Sequence, residues 1–169
     1  SGIVATAIPP IEWVFRTLPQ IGVMTTNSTA FSPTSVYRDP APSQYAPGCS
    51  VNAIGLTNPG AHESAALVAQ LQVPHDRFLL TSIFGGSVEE FVAVARILAH
   101  YSDGLELNLS CPHASGYGMA MGQDPVLVKE IIEAVKAVVD IPIVPKLTPN
   151  TPDIAEIARA AVAGGADAI

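Results

Sequence analysis

From residue 78 onward, the sequence alternates short apolar segments with amphipathic ones, and this alternation constrains the fold more than any other feature. The segments at 78–84, 104–110 and 141–147 have the length and composition of strands, and the second of them alternates apolar and polar residues. Each is followed by apolar residues at helical spacing, and residues 166–169 read as the start of another strand. Strands separated by single helices form parallel sheets through right-handed crossovers. The sequence therefore predicts an α/β fold with a parallel sheet.

Start and stop signals predict the remaining boundaries. Ser87 and Glu90 form a capping box, and both Asp124-Pro125 and Thr151-Pro152 are typical first turns of helices. We expect the last of these helices to end at the glycine pair of residues 164–165. In the first half of the chain, helices are expected at 11–18 and 61–71, a strand at 22–28, and an irregular, proline-rich loop at 31–50.

Two architectures fit this order: an open sheet with helices on both faces, or a closed barrel of eight strand–helix units. Lys146 favours the barrel, because it lies in a strand and a sheet coated by helices on both faces leaves no room for a lysine. A barrel has one inner face, whose upper end opens onto a ligand. A complete barrel takes about 250 residues, so this chain is expected to supply about the first half of one.

One stretch, residues 105–122, concentrates groups that carry chemistry. Asn108, Cys111 and His113 lie near the carboxyl end of its strand. A glycine-rich segment follows, and its backbone can approach a ligand closely. Cys111 is either a small buried hydrophobe or a functional thiol, and Asn108 is either structural or a ligand contact. Lys146 is either a side chain that reaches solvent, a cation beside an anionic ligand, or a Schiff-base amine.

Composition excludes several classes of function. The net charge is −7 with only eight Lys and Arg residues, which disfavours binding to nucleic acids and to acidic membrane surfaces. No apolar run is long enough to span a membrane, and nothing suggests a secretion signal. The two cysteines, Cys49 and Cys111, are expected to be free thiols in a reducing cytoplasm. No metal-binding or hydrolase motif is present, so no metal site is expected.

Several motifs match a known family. The sequences NLSCPH (108–113), GMAMGQDP (118–125), KLTPN (146–150) and NAIGLTNPG (52–60), with the GGADAI ending, closely resemble the cysteine-containing, cytosolic class of dihydroorotate dehydrogenases. They also resemble the pyrimidine-reducing domain of dihydropyrimidine dehydrogenase. The resemblance covers essentially the whole chain. It implies a (β/α)8 TIM barrel that binds FMN, with residues 1–169 forming part of this single domain.

The resemblance also implies roles for individual residues. Cys111 matches the catalytic base, which takes a proton from C5 of dihydroorotate while hydride leaves C6 for flavin N5. Only the thiolate is such a base, so the rate is expected to rise with pH. The matching substrate-binding residues are Asn52, Gly55, Leu56, Asn108 and His113. The matching cofactor-binding residues are Gly2, Thr26, Asn27, Asn108 and Lys146, with Lys146 near flavin N1 and O2.

Two departures leave alternatives open. Thr26 stands at the position where the family usually has a lysine, and His113 stands where most dihydroorotate dehydrogenases have asparagine. His113 leaves open the reduction of uracil or thymine, and Thr26 leaves open a non-catalytic barrel. Apart from these departures, Lys146 leaves open a lyase that uses its amine as a Schiff base. The GQDP segment resembles the class with an NAD-linked flavoprotein or iron–sulfur partner subunit, and the family is usually homodimeric.

Overall fold

The computed structural model describes residues 8–35, 42–52, 55–110 and 121–169. Two single-turn 3-10 helices, Ala99–Tyr101 and Met121–Gln123, join the regular elements. In chain order, these elements are α1 (Ile8–Thr17), β1 (Val23–Thr25), β2 (Pro42–Ala46), β3 (Cys49–Asn52), α2 (Ala61–Val68), β4 (Phe78–Ile83), α3 (Val88–Leu98), β5 (Gly104–Asn108), α4 (Pro125–Lys136), β6 (Ile143–Lys146) and α5 (Ile154–Ala163). Within these described ranges, no helix combines the length and the apolar character needed to cross a membrane.

Strands β1, β4, β5 and β6 form one sheet in that order, and all its pairs are parallel. Helix α3 connects β4 to β5, and α4 connects β5 to β6, so consecutive strands lie side by side. This is the topology that the alternation of apolar and amphipathic segments predicts. The predicted order from residue 78 to the end of α5 is confirmed.

The two faces of the sheet differ in chemistry. One face packs Ile83, Leu105, Leu107 and Ile143 against the helices, and each of these side chains is fully buried. The helical partners include the apolar stripes predicted for α3 and α4, among them Phe91, Leu98, Val128, Ile131 and Val135. We call the opposite face the inner face; from β4 to β6 it carries Leu80, Ser82, Glu106, Asn108, Val144 and Lys146.

The helices of the described residues pack on one side of the sheet. Helix α1 adds Ile11, Val14 and Phe15 to a smaller cluster on this side, with Leu79 of β4. A doubly wound sheet would have helices on both faces. Four parallel strands with helices on one face only are what a segment of barrel wall requires.

The prediction of an irregular loop at 31–50 is wrong in its second half. Strands β2 and β3 form an antiparallel hairpin, with a register irregularity between Gln44 and Ala46. Gly48 in the connecting turn has φ 75°, a conformation that glycine adopts without strain. The proline residues hide this hairpin in the sequence, although Pro42 at the first position of a strand is tolerated.

The predicted helix starts are confirmed in part. Ser87 Oγ accepts from the backbone N–H of Glu90 at 3.3 Å, but the Glu90 carboxylate accepts from Gly86 rather than from Ser87. Asp124 caps α4 as expected. Helix α5 is capped by Asp153 instead of Thr151, because the Asp153 carboxylate reaches two backbone N–H groups of the first turn.

The strand predicted to begin at residue 166 does not form in the structure. Asp167 nevertheless lies beside β6: its backbone N–H donates to the Ile143 carbonyl oxygen, and its carboxylate accepts from Ile143 N–H at 2.8 Å. The carboxylate therefore replaces one bond that a strand would make through its backbone.

Candidate functional site

The inner face carries a continuous chain of hydrogen bonds, which we call the inner-face network: Ser28, Ser82, Glu106, Asn108 and Lys146. Lys146 Nζ lies 3.0 Å from Glu106 Oε1, and Ser82 Oγ donates to the same oxygen at 2.8 Å. Ser28 Oγ lies 2.8 Å from Ser82 Oγ, and Asn108 Nδ2 donates to Ser28 Oγ at 2.8 Å. The network thus links three strands and the segment after β1.

Strand register brings these residues together. Ser82 of β4 pairs with Glu106 of β5, and Asn108 of β5 pairs with Lys146 of β6. Paired residues of neighbouring parallel strands point to the same face, about 4.8 Å apart. Asn108 and Lys146, two predicted site residues, are therefore neighbours on the inner face.

The direction of the hydrogen bonds follows from counting protons. A serine hydroxyl has one proton to donate, and Ser82 gives its proton to the Glu106 carboxylate. Ser28 must then donate to Ser82, and Ser28 in turn accepts from the Asn108 amide. Donors run from Asn108 toward Glu106, so the negative charge is bound from two sides, by Ser82 and by Lys146.

Burial differs along the network. Ser82, Asn108 and Ser28 are 0%, 4% and 5% exposed, whereas the Lys146 side chain is 41% exposed. Glu106 lies between these extremes, with 12% of its side chain exposed. The cation is consequently the most accessible member of the network, and a ligand on the inner face can reach it.

Asn108 also shapes the chain as it leaves β5. Its Oδ1 accepts from the Ser110 backbone N–H at 3.1 Å and from the Ser110 hydroxyl at 3.0 Å. The amide therefore holds the residues that lead into the segment at 111–120.

The predicted residues Thr26 and Asn27 lie just beyond β1. Thr26 Oγ1 accepts from Ser82 N–H at 3.1 Å and donates to the Asn27 carbonyl oxygen. Asn27 Nδ2 donates to the Thr57 carbonyl oxygen at 2.8 Å. Asn27 thus ties the end of β1 to the loop at 55–60.

That loop contains the predicted substrate-binding residues Gly55 and Leu56. Gly55 has φ 69°, and the Leu56 side chain is buried in the main core cluster. Asn58 fixes the loop: its Oδ1 accepts from the N–H groups of Ala30 and Gly60, and its Nδ2 donates to the Leu56 carbonyl oxygen. The loop is therefore held against the segment that follows β1.

Three predicted site residues, Gly2, Cys111 and His113, lie outside the described residues. Asn52 is the last residue of β3, and its side chain is also outside the description. The relation between Cys111 and Lys146 stays a prediction. Within the described ranges, no group of three or more His, Cys, Asp or Glu side chains is arranged to hold a metal ion.

Sequence reasoning missed Ser28, Ser82, Glu106 and Asn58. Glu106 could have been found, because it alternates with the apolar residues of β5 on the same face as Asn108. Ser28 and Asn108 are 80 residues apart in sequence, so no local pattern reveals their contact.

Comparisons with known proteins agree with this geometry. The family model described as dihydroorotate dehydrogenase matches residues 12–169. A relative from Pyrococcus horikoshii, named dihydroorotate dehydrogenase B (NAD(+)), catalytic subunit, is 45% identical over 148 residues, covering 88% of this chain and 48% of the relative. A protein of the same name from Methanocella arvoryzae is 44% identical, covering 88% of this chain and 48% of the relative. Another, from Thermococcus kodakarensis, is 41% identical, covering 75% of this chain and 41% of the relative.

The fold also matches a solved structure. The crystal structure of DHODH from Eimeria tenella in complex with ferulenol superposes with a TM-score of 0.69 at 15% identity, over 86% of this chain and 48% of that one. The chain therefore spans about half the length of the proteins that it matches, and it forms part of a TIM barrel, as predicted. With a family model that matches nearly the whole chain, and with strands in the order that a barrel wall needs, the chain belongs to the dihydroorotate dehydrogenase family.

Proposed function

We propose that this chain takes part in the flavin-dependent oxidation of dihydroorotate to orotate in pyrimidine biosynthesis. Residues 1–169 would form part of a single FMN-binding barrel domain. The observation that carries the proposal is the alignment of 88% of the chain with a relative named as a catalytic subunit of dihydroorotate dehydrogenase B. The inner-face network supports it, because polar groups at the carboxyl ends of barrel strands are typical of catalytic sites.

The donor set of the inner face fits a flavin ring. A flavin gains negative charge when it is reduced, and a nearby cation stabilises that charge. Lys146 offers such a cation, and its side chain is accessible from the inner face. We assign Lys146, Asn108, Thr26, Asn27 and Gly2 to flavin binding. The flavin, proposed to be FMN, would supply the hydride acceptor.

The substrate would lie between the flavin ring and Cys111. In our proposal Cys111 removes the proton from C5 of dihydroorotate, because carbon acids beside a carbonyl need a positioned base. We assign Asn108, Asn52 and His113 to the pyrimidine, and the backbone at Gly55 and Leu56 to the carboxylate. The fixed shape of the loop at 55–60 supports the last assignment, since bound anions favour rigid backbone donors.

We further propose that electrons leave through a partner subunit linked to NAD. The names of the relatives, which combine NAD(+) with the words catalytic subunit, support this part of the proposal. Assembly as a homodimer and a location in the cytoplasm complete the proposal.

The alternatives receive less support. The relatives above are named for dihydroorotate rather than uracil or thymine. A Schiff-base lyase needs a neutral amine, whereas the Lys146 amine forms an ion pair with Glu106. A fixed cation suits that geometry better than a nucleophile.

The proposal is tested by measuring turnover of the flavin-loaded protein with dihydroorotate and with dihydrouracil. We expect orotate formation with the first substrate. Turnover of dihydrouracil alone would favour the uracil-type activity instead, and a protein that takes up no flavin would contradict the flavin proposal.

A matched pair of cysteine variants tests the base. Cys111→Ser is expected to lower kcat about 100- to 10,000-fold, the usual contribution of a general base. Cys49→Ser is the control, because Cys49 is a free, exposed thiol on β3. It should keep the full rate, and an equal loss in both variants would count against Cys111 as the base.

A further inference from the structure

Glu106 occupies an unusual position for a carboxylate. It is the third of the five residues of β5, and only 12% of its side chain is exposed. Its Oε1 receives both the Lys146 amine and the Ser82 hydroxyl. Burying a carboxylate to this extent costs desolvation free energy, unless charged and hydrogen-bonding partners compensate for the lost water.

The pairing of the strands does not by itself call for a carboxylate at this position. The residue paired with Glu106 in β6 is Val144, so the neighbouring position on this side of the inner face is apolar. Buried ion pairs contribute little net stability compared with apolar residues of similar size. Lys146 is 41% exposed and could be solvated without a partner. The ion pair is therefore placed where it can act on a ligand that binds beside Lys146.

We infer that Glu106 is a positioning residue that holds the Lys146 amine on the inner face and offsets its charge toward the bound flavin. Ser82 fixes the carboxylate from the other side, so the amine is held by a rigid partner. This inference rests on the proposed function. Its consequence is that the flavin is harder to reduce than it would be beside an uncompensated lysine, because the negative carboxylate weakens the attraction for the reduced ring.

The test is a cycle of four proteins, each loaded with flavin: the unchanged protein, Glu106→Gln, Lys146→Gln and the double variant. The midpoint potential is measured by equilibration with a reference dye during chemical reduction, which needs no turnover of substrate. Glutamine can still bridge Lys146 and Ser82, so Glu106→Gln removes the charge while it keeps the contacts. Glu130→Gln, on the exposed surface of α4, is the control for a change in net charge.

We expect Glu106→Gln to favour reduction about tenfold in the equilibrium constant, the order given by one charge across a partly buried site. For a two-electron couple this is a rise of about 30 mV. Lys146→Gln should shift the potential downward, and the double variant should return close to the unchanged protein. Glu130→Gln should leave the potential where it was.

A purely structural role predicts a different pattern. The potential of Glu106→Gln would then equal that of the unchanged protein, and the double variant would equal Lys146→Gln; either result overturns the inference. If Glu106→Gln alone does not fold, the midpoint potential of the double variant is compared with that of Lys146→Gln. Reduction should again be favoured about tenfold in the double variant.

The inference and the proposed function fail in different ways. A shifted potential in a protein that does not oxidise dihydroorotate would refute the proposed activity and support the role of Glu106. Equal potentials in a protein that does oxidise dihydroorotate would refute the role of Glu106 alone. A protein that binds no flavin would overturn both.

Discussion

Replacing Asn58 by alanine should destabilise the protein more than any surface change, because one side chain satisfies three backbone groups. Asn58 is 6% exposed, and its amide bonds Ala30 N–H at 3.2 Å, Gly60 N–H at 2.9 Å and the Leu56 carbonyl oxygen at 2.9 Å. Asn58→Ala leaves all three groups without this partner.

The expected loss can be estimated from these contacts. A hydrogen bond contributes about 1 kcal/mol net, and a buried group left without a partner costs about 1 to 3 kcal/mol. Three such groups, some of which can recruit water, predict a loss of about 3 kcal/mol. For a protein of 150 to 250 residues this lowers Tm by about 6 to 12 °C.

Urea unfolding of matched variants measures this loss. Asn58→Asp keeps the acceptor for Ala30 and Gly60 but replaces the donor to Leu56 by an oxygen that repels that carbonyl, so it should also lose stability. Gln70→Ala removes one exposed side-chain bond to the Ala66 carbonyl oxygen and should cost less than about 0.5 kcal/mol. The reasoning is refuted if Asn58→Ala is as stable as Gln70→Ala, or if Asn58→Asp is as stable as the unchanged protein.

Two further predictions concern stability. The hydrogen bond from Lys136, and then that from Ile143 N–H, lowers the pKa of Asp167 below its ordinary 3.8. Its stabilisation is therefore present above pH 3.8 and lost as the pH falls through the lower value in the folded protein. Asp167→Asn should lower the free energy of unfolding by about 0.2 to 1 kcal/mol at neutral pH, and this difference should disappear in acid. Urea titrations at several pH values measure the difference, and a value that does not change with pH would contradict the prediction. Gly122→Ala should cost about 1 to 3 kcal/mol, because a Cβ there would overlap the Leu109 carbonyl oxygen. Gly22→Ala is its control, since no atom lies within 4 Å of the added Cβ; equal melting temperatures for both variants would be the contrary result.

The parallel sheet could be predicted from sequence because its signals are local. The strands β4 and β6 are short, mostly apolar segments, β5 alternates apolar and polar residues, and each following helix starts at a capping residue. The hairpin of β2 and β3 escaped prediction because its prolines hide the alternation that marks ordinary strands.

The site could be predicted only where chemistry lies at the end of a strand. Asn108 and Lys146 were found in this way, and their pairing across β5 and β6 follows from parallel register. Ser28 follows β1, and it reaches the network because β1 pairs with β4. The hairpin and α2 separate these two strands in the chain. A contact set by tertiary topology has no period in the sequence.

Glu106 also influences a group three hydrogen bonds away. Because its carboxylate can only accept, Ser82 must donate to it, Ser28 must donate to Ser82, and Asn108 must present its N–H₂ end to Ser28. The amide oxygen of Asn108 is then left for Ser110, where both the backbone N–H and the hydroxyl donate to it. The orientation of a residue proposed to bind substrate is thus coupled to the carboxylate that holds the proposed flavin-binding lysine. A glutamine at position 106 keeps this direction as long as its amide oxygen receives both Lys146 and Ser82, and it loses the direction if its N–H₂ group turns to Ser82.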